Sequence, residues 1–292
     1  MQCISPMIIG KSGDKRIVPC GKCGFCLEVK RADWTFRLKQ ELKVADSAHF
    51  LTLTYNDEEL PLGVDDTPTL CKKDVQLFIK RLRKENGKTI RHSFSGRILR
   101  GKSSSQKNIR YYTVGEYGTE TNRPHYHSIM FNLREDVTKD LEKIWKQGHI
   151  KIGSVTDASI HYVTKYVVNR NGIYENRQKP FSLISNRSGG IGNNYLSTHT
   201  GWHIDAMRNY TAVNGIVSRL PRYYKDRIFD IKQREKLALE AYRLGEESYR
   251  KEIDRISRYY SDPYGELWYR YNQRIVDAES KVVSKTNQLN TL

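Results

Sequence analysis

Two histidines spaced two apart and two tyrosines spaced four apart are the residues of this chain best suited to chemistry. His125 and His127 lie in Arg123-Pro124-His125-Tyr126-His127-Ser128-Ile129-Met130-Phe131. This β-prone run predicts a strand, and alternate residues of a strand share a face, so the two imidazoles project together. Tyr162 and Tyr166 lie in Tyr162-Val163-Thr164-Lys165-Tyr166, within a predicted helix over 159–168. Helix positions four apart stack on one side. Two imidazoles can grip a cation, and two phenols can attack beside it, which points to metal-assisted phosphoryl transfer through a tyrosine nucleophile. Each pair has a plainer reading alone. A His-x-His pair can be two half-buried strand residues, and in a chain with 19 tyrosines a pair four apart can be a core stripe.

The metal reading needs a third ligand. Glu116, in Val114-Gly115-Glu116-Tyr117-Gly118, sits on the strand expected to pair with the histidine strand. Three ligands on one side of a cation leave positions open for substrate oxygens. Mg²⁺ prefers oxygen, and two histidines suit Mn²⁺ at least as well. A tyrosine of pKa about 10 is only about 0.1% ionised at neutral pH, so it needs help to act as a nucleophile. A cation beside it, and the Lys165 ammonium, can stabilise developing charge. Lys165 immediately precedes Tyr166 and is expected on an adjacent helix face, within reach of a phosphate or simply solvated.

Four of the five cysteines stand near the start: Cys3, Cys20, Cys23 and Cys26. The run Pro19-Cys20-Gly21-Lys22-Cys23-Gly24-Phe25-Cys26 holds two overlapping CxxC steps. Four thiolates can close a tetrahedral structural Zn²⁺ site; the alternative is free thiols on a turn that leads into a helix. Cys71 stands apart and is expected only to pack.

Positioning these residues requires a scaffold. The patterns predict a helix over 27–44, a strand over 49–55 and an amphipathic helix over 72–84. Strands over 109–117 and 125–131 follow, then a helix over 137–145, a strand over 148–152 and the tyrosine helix. The strand and helix order from residue 49 to 152 is that of the split β-α-β-β-α-β unit. The expected fold class is α+β, an antiparallel sheet of the ferredoxin/RRM-like type with helices on one face and a helical C-terminal extension. The histidine strand is expected to be central. Residues 87–107 read as a basic loop and 171–194 as another loop. Long helices are expected over 227–260 and 264–285, with Leu237, Ala241, Leu244, Tyr249, Ile253 and Ile256 as one buried stripe. The expected division is a Cys-rich segment and helix (1–45), a catalytic core (46–170), a loop-rich extension (171–230) and a helical region (231–292).

The 292 residues carry a net charge of +17, with 13 Lys/Arg against 2 Asp/Glu between Lys72 and Arg110. Such an excess suits a polyanionic partner, above all nucleic acid. No apolar run approaches the roughly 20 residues that span a bilayer, and the start carries no secretory pattern, so the expected address is the cytoplasm, without membrane contact. Gly96-Arg97-Ile98-Leu99-Arg100-Gly101-Lys102-Ser103 fits the P-loop spacing. It lacks the strand before and helix after that phosphate binding requires, so a basic DNA-contacting loop is the better reading.

Three motifs, Phe50-Leu51-Thr52-Leu53-Thr54-Tyr55, Arg123-Pro124-His125-Tyr126-His127 and Tyr162-Val163-Thr164-Lys165-Tyr166, occur in the order found in HUH endonucleases. With the cysteine-rich start, Gly115-Glu116-Tyr117-Gly118 and Pro221-Arg222-Tyr223-Tyr224, the chain resembles the rolling-circle replication initiators of small single-stranded DNA phages of the gokushovirus type (Microviridae). The resemblance covers roughly residues 1 to 230. It implies an enzyme that nicks single-stranded origin DNA and becomes joined to the 5′ end through a phosphotyrosine. Tyr162 and Tyr166 would be the alternating nucleophiles and His125 and His127 the metal ligands, with rejoining that releases a circular genome. It further implies host helicase and polymerase partners and action in the host bacterial cytoplasm. The competing readings are a plasmid-type initiator or relaxase, a non-catalytic zinc-containing nucleic-acid-binding protein, and a zinc hydrolase built on the histidine pair. Oligomeric state is not written in the sequence.

Overall fold

The computed structural model describes residues 3, 6–11, 15–87, 107–118, 121–165, 174, 176–213, 215–274 and 276. In chain order the elements are β1 (Met7–Ile9), β2 (Arg16–Val18), α1 (Gly24–Leu42), β3 (Ala48–Thr54), α2 (Lys72–Asn86), β4 (Arg110–Tyr117), β5 (Pro124–Phe131), α3 (Glu135–Thr138) and α4 (Leu141–Trp145). Then come β6 (Ile150–Ser154), α5 (Asp157–Lys165), β7 (Phe181–Ile184), α6 (Asn194–Asp205), β8 (Tyr210–Val213), β9 (Ile216–Arg219), α7 (Arg222–Ile228) and α8 (Ile231–Ser257). Residues 263–274 are also helical. Two compact units result: one of residues 34–194, the other of residues 1–33 and 195–292.

The first unit is built on a five-stranded antiparallel sheet of order β6-β3-β5-β4-β7, so β5, the histidine strand, is central as expected. Strand alternation sorts its side chains onto two faces. Leu51, Leu53, Tyr126 and Met130 point to one face, where Val75, Phe78 and Leu82 of α2 and Leu141, Ile144 and Trp145 of α4 cover them. Tyr112, Val114, Ile129 and Phe131 point to the other, where Leu38 of α1 and Ile160 and Val163 of α5 close a second core. Helices therefore lie on both faces, which corrects the expectation of one. The second layer arises because β4 and β5 are apolar on both sides, and a strand buried on both faces needs cover on both.

Three local readings also change. The single helix expected over 137–145 is two short ones: Asp140 N–H donates to Val137 C=O at 3.2 Å and Thr138 Oγ1 to Glu135 C=O at 2.6 Å, closing the chain into a tight turn between them. Within 171–194, read as loop, Phe181–Ile184 forms an edge strand on β4. The stripe on α8 is not buried: Leu244 and Tyr249 are 51% and 46% exposed, and Ile256 is its one buried residue. Helical spacing created a stripe, but packing supplied no partner among the described residues.

One glycine is demanded by the scaffold. Gly148 has φ +147°, and a Cβ there would meet Asn56 N at 2.4 Å and Thr54 O at 2.5 Å. Only a residue without a side chain lets the turn before β6 come this close to the end of β3. No helix of the described residues is long and apolar enough to cross a membrane. The expected basic loop lies mostly at 88–106, outside the described residues, as does the P-loop-like segment.

Candidate active site

Register brings the ligand candidates together. In the sheet Glu116 of β4 pairs with His125 of β5, and Thr52 of β3 pairs with His127. These residues share one face, so a carboxylate and two imidazoles separated in sequence meet over two or three strands. His125 Nε2 lies 2.8 Å and His127 Nε2 2.7 Å from the same oxygen, Glu116 Oε1. Adjacent ligands of an octahedral ion at ~2.1 Å stand ~3 Å apart, so this set fits a divalent cation with little adjustment. Two nitrogens and one carboxylate oxygen match a borderline-hard divalent ion such as Mn²⁺, and Mg²⁺ less closely.

The far sides of both rings are anchored. His125 Nδ1–H donates to Arg123 C=O at 3.2 Å. His127 Nδ1 is bonded to Thr52 Oγ1 at 3.1 Å. The His127 ring stacks on Phe50 with centroids 5.5 Å apart and planes 14° from parallel. Such outer contacts fix ring orientation and turn both Nε2 atoms toward Glu116.

Electrostatics follow from burial and pairing. Burial opposes ionisation of Glu116, but hydrogen bonds from His125 and His127 outweigh it and hold its carboxyl at about 2. For His125, burial would lower the pKa, yet the bond and charge of Glu116 reverse this and raise it. For His127 burial prevails, aided by the charges of His125 and Lys165, and its pKa is lowered. His127 is thus the ring readier to offer a lone pair.

Tyr162, on α5, reaches the cluster. Its hydroxyl donates to Glu116 Oε1 at 3.3 Å and lies 3.2 Å from His127 Nε2. Ile160 and Val163 are fully buried against the sheet and fix the rotation of the helix. Thr164 adds a bond to Thr35 of α1 at 3.2 Å. The Nζ of Lys165, a residue expected on an adjacent face, lies 4.2 Å from the centroid of the Tyr162 ring. Burial lowers the Lys165 pKa, with the charge of Glu116 partly opposing. Tyr166 falls outside the described residues.

Other sequence expectations sort as follows. Tyr55, expected to support the site or the DNA, sits on the opposite face, nearly fully buried, with its hydroxyl 2.9 Å from both Asp74 Oδ2 and Tyr126 Oη. Tyr224 is fully buried, while Tyr223 is half-buried beneath the Arg227 guanidinium at 3.9 Å. His149 and His161 are exposed. Sequence reasoning missed the roles of Thr52 and Phe50, although their two-residue spacing along a strand placed both on the histidine face. Cys3, Cys20, Cys23 and Cys26 also converge, with all four sulfurs within 4.8 Å of one another.

Taken together, the sheet and α5 define a protein with a cation-binding triad facing a phenol. Residues 48–171 match the model of a family of phage replication-associated proteins, the ORF2 type. The chain is 29% identical over 261 residues to Replication-associated protein VP4 of Bdellovibrio phage phiMH2K, covering 77% of this chain and 76% of that one. It is 31% identical over 199 residues to Replication-associated protein ORF2 of Spiroplasma virus 4, covering 61% of this chain and 57% of the relative. It is 26% identical over 232 residues to Replication-associated protein ORF4 of Chlamydia phage 1, covering 72% and 53%. The resemblance to small-phage replication proteins read from the motifs is borne out. No solved structure matches the chain.

Proposed function

We propose that this protein initiates rolling-circle replication of a small phage genome by nicking single-stranded origin DNA with a tyrosine. The observation that carries the reading is the placement of the Tyr162 hydroxyl 3.2 Å from His127 Nε2 and 3.3 Å from Glu116 Oε1. A nucleophile beside a three-ligand cluster has the arrangement needed for in-line attack on a phosphate held there.

Glu116, His125 and His127 would hold Mg²⁺ or Mn²⁺. Bound there, such an ion supplies Lewis-acid polarisation of the phosphate oxygens. Tyr162 attacks phosphorus: the phenolic proton leaves, an O–P bond forms to the 5′ side, and the bond to the 3′ oxygen breaks. The 3′ oxygen takes up a proton and becomes a free hydroxyl that a host polymerase can extend. Lys165, beside the phenol, favours its anionic form and the charge on the phosphate. The phosphotyrosine keeps the phosphodiester energy, so a 3′ hydroxyl can reverse the step and close a circle. Tyr166, one helical turn from Tyr162, would be the second nucleophile. The chain's excess positive charge would hold the strand, and a host helicase would unwind the duplex in the bacterial cytoplasm.

The test is incubation of the full chain with labelled single-stranded origin DNA and Mn²⁺ or Mg²⁺, followed by denaturing electrophoresis. A protein–DNA adduct is expected, weakened in each of Tyr162→Phe and Tyr166→Phe and absent in the double variant. Tight binding of uncut DNA would replace this reading with a binding module, and cutting without adduct would replace it with a hydrolase.

A further inference from the structure

The thiol cluster of the smaller unit shares no residue with the proposed catalytic site. Cys3 precedes β1, Cys20 and Cys23 lie on the turn after β2, and Cys26 is in the first turn of α1. The Sγ atoms of Cys20 and Cys26 are 3.9 Å apart, as are those of Cys3 and Cys23. A disulfide needs ~2.05 Å, and all four are free thiols. Sulfurs around one tetrahedral zinc at ~2.3 Å stand ~3.8 Å from each other. A multi-iron cluster places several atoms between its thiolates and would hold them farther apart.

The backbone is arranged around the sulfurs as well. The N–H groups of Lys22 and Cys23 point at Cys20 Sγ from 3.4 and 3.3 Å, and the N–H of Cys20 points at Cys3 Sγ from 3.2 Å. Donors aimed at sulfur favour the thiolate that a metal requires. The surrounding chain has little else to hold it. Strands β1 and β2 have three residues each and pair only with one another, and Met7, Ile8, Ile9 and Ile17 are all exposed. A lone two-stranded hairpin of this kind is marginal in water.

We propose that Cys3, Cys20, Cys23 and Cys26 bind one Zn²⁺ as a closed four-sulfur structural site, and that this ion folds residues 3–26. Four protein ligands leave no open position, so the ion takes no part in the nicking chemistry. Its binding free energy stands in for the core that the hairpin lacks. Beside it, Phe25 stacks on Tyr271 with centroids 6.3 Å apart, which ties the start of α1 to the helix over 263–274 within the same unit.

The full chain is purified in reductant without metal-affinity steps, and its metals are measured by plasma mass spectrometry. One zinc per chain is expected, kept by Cys71→Ser and His127→Ala and lost from Cys3→Ser and Cys26→Ser. Exchange into Co²⁺ should give thiolate-to-cobalt charge-transfer bands typical of four sulfurs, also in His127→Ala, which separates this claim from the fate of the nicking site. Should the cysteine variants fail to fold, mercurial titration of the wild-type chain decides, with one zinc released per four thiols. Zinc-free protein with four freely reactive thiols, or iron with sulfide in place of zinc, overturns the proposal.

Discussion

The protein holds two clusters of metal-ligating side chains, and they are built on opposite plans. The thiol cluster draws on four half-exposed residues, three of them within seven positions of each other, on a turn and a helix start with no core beneath. The Glu116, His125 and His127 cluster draws on the two inner strands of a five-stranded sheet and is buried between two cores. The first completes a tetrahedron by itself; the second supplies three donors and leaves its remaining side to a phenol. A structural ion can organise the chain around it, so local spacing suffices. A catalytic ion has to be held in an incomplete shell without collapse of the open side, and that takes a scaffold that is rigid beforehand.

The sharpest way to break this contrast is to delete one ligand from each cluster. His127→Ala is expected to lower origin cleavage by roughly 10³-fold or more, with stability to denaturant nearly unchanged, because the buried cage loses an ionisable group it had to desolvate. Cys26→Ser is expected to do the converse: loss of zinc and of hydrogen-exchange protection over residues 3–26, while Mn²⁺ binding persists. Matching losses of cleavage and of metal in both variants would mean that the clusters are one functional system.

The next largest effect tests the scaffold. Trp145 is fully buried, and its Nε1–H donates to Thr54 C=O at 2.9 Å, at the end of β3. Trp145→Ala should destabilise the sheet unit by about 3–5 kcal/mol in urea unfolding, with zinc content unaffected. A shift below about 1 kcal/mol would show that the site does not lean on this core.

A smaller effect isolates ring orientation. Thr52→Val removes the hydroxyl 3.1 Å from His127 Nδ1 and keeps the side-chain volume. Mn²⁺ affinity, read by calorimetry, is expected to fall about 10–100-fold, as for other outer-sphere partners of ligating histidines. Unchanged affinity would assign His127 orientation to the Phe50 stack alone.

The two clusters also differ in how far the sequence disclosed them. The thiols and the His-x-His pair were legible because strand alternation and CxxC spacing are local rules. Glu116 required a pairing inference, and the register puts it opposite His125 as that inference needs. Thr52 and Phe50 were passed over as generic strand residues, since their contacts depend on how β3 aligns with β5. Tyr55 was misplaced because its position at the strand end gave no sign of the opposite face. Periodicity also failed where no partner existed: the apolar spacing on α8 suggested burial, and only tertiary contact decides that. The four residues of β7, between a proline and a glycine-rich turn, are too few to show alternation at all.

The smallest expected effect tests whether the unit with the thiol cluster is held by local devices in general. Helix α8 has 27 residues and a single buried one, so little tertiary packing supports it. Its start carries a capping box: Gln233 N–H donates to Asp230 Oδ1 at 2.8 Å, and Asp230 N–H donates to Gln233 Oε1 at 2.9 Å. Asp230→Ala should cost about 1 kcal/mol of helix stability, because one donor at the helix start loses its acceptor. In a helix leaning on a core that loss would be spread over the unit. Here it should appear as fraying, seen as a drop in far-ultraviolet helicity on mild warming and faster amide exchange in the first turns of α8. Zinc content and origin cleavage should both stay at the wild-type level. A cooperative loss of zinc with the helix signal would instead mean that α8 and the thiol cluster fold as one body, and the sheet unit would then be the only part of the chain stabilised independently of its ion.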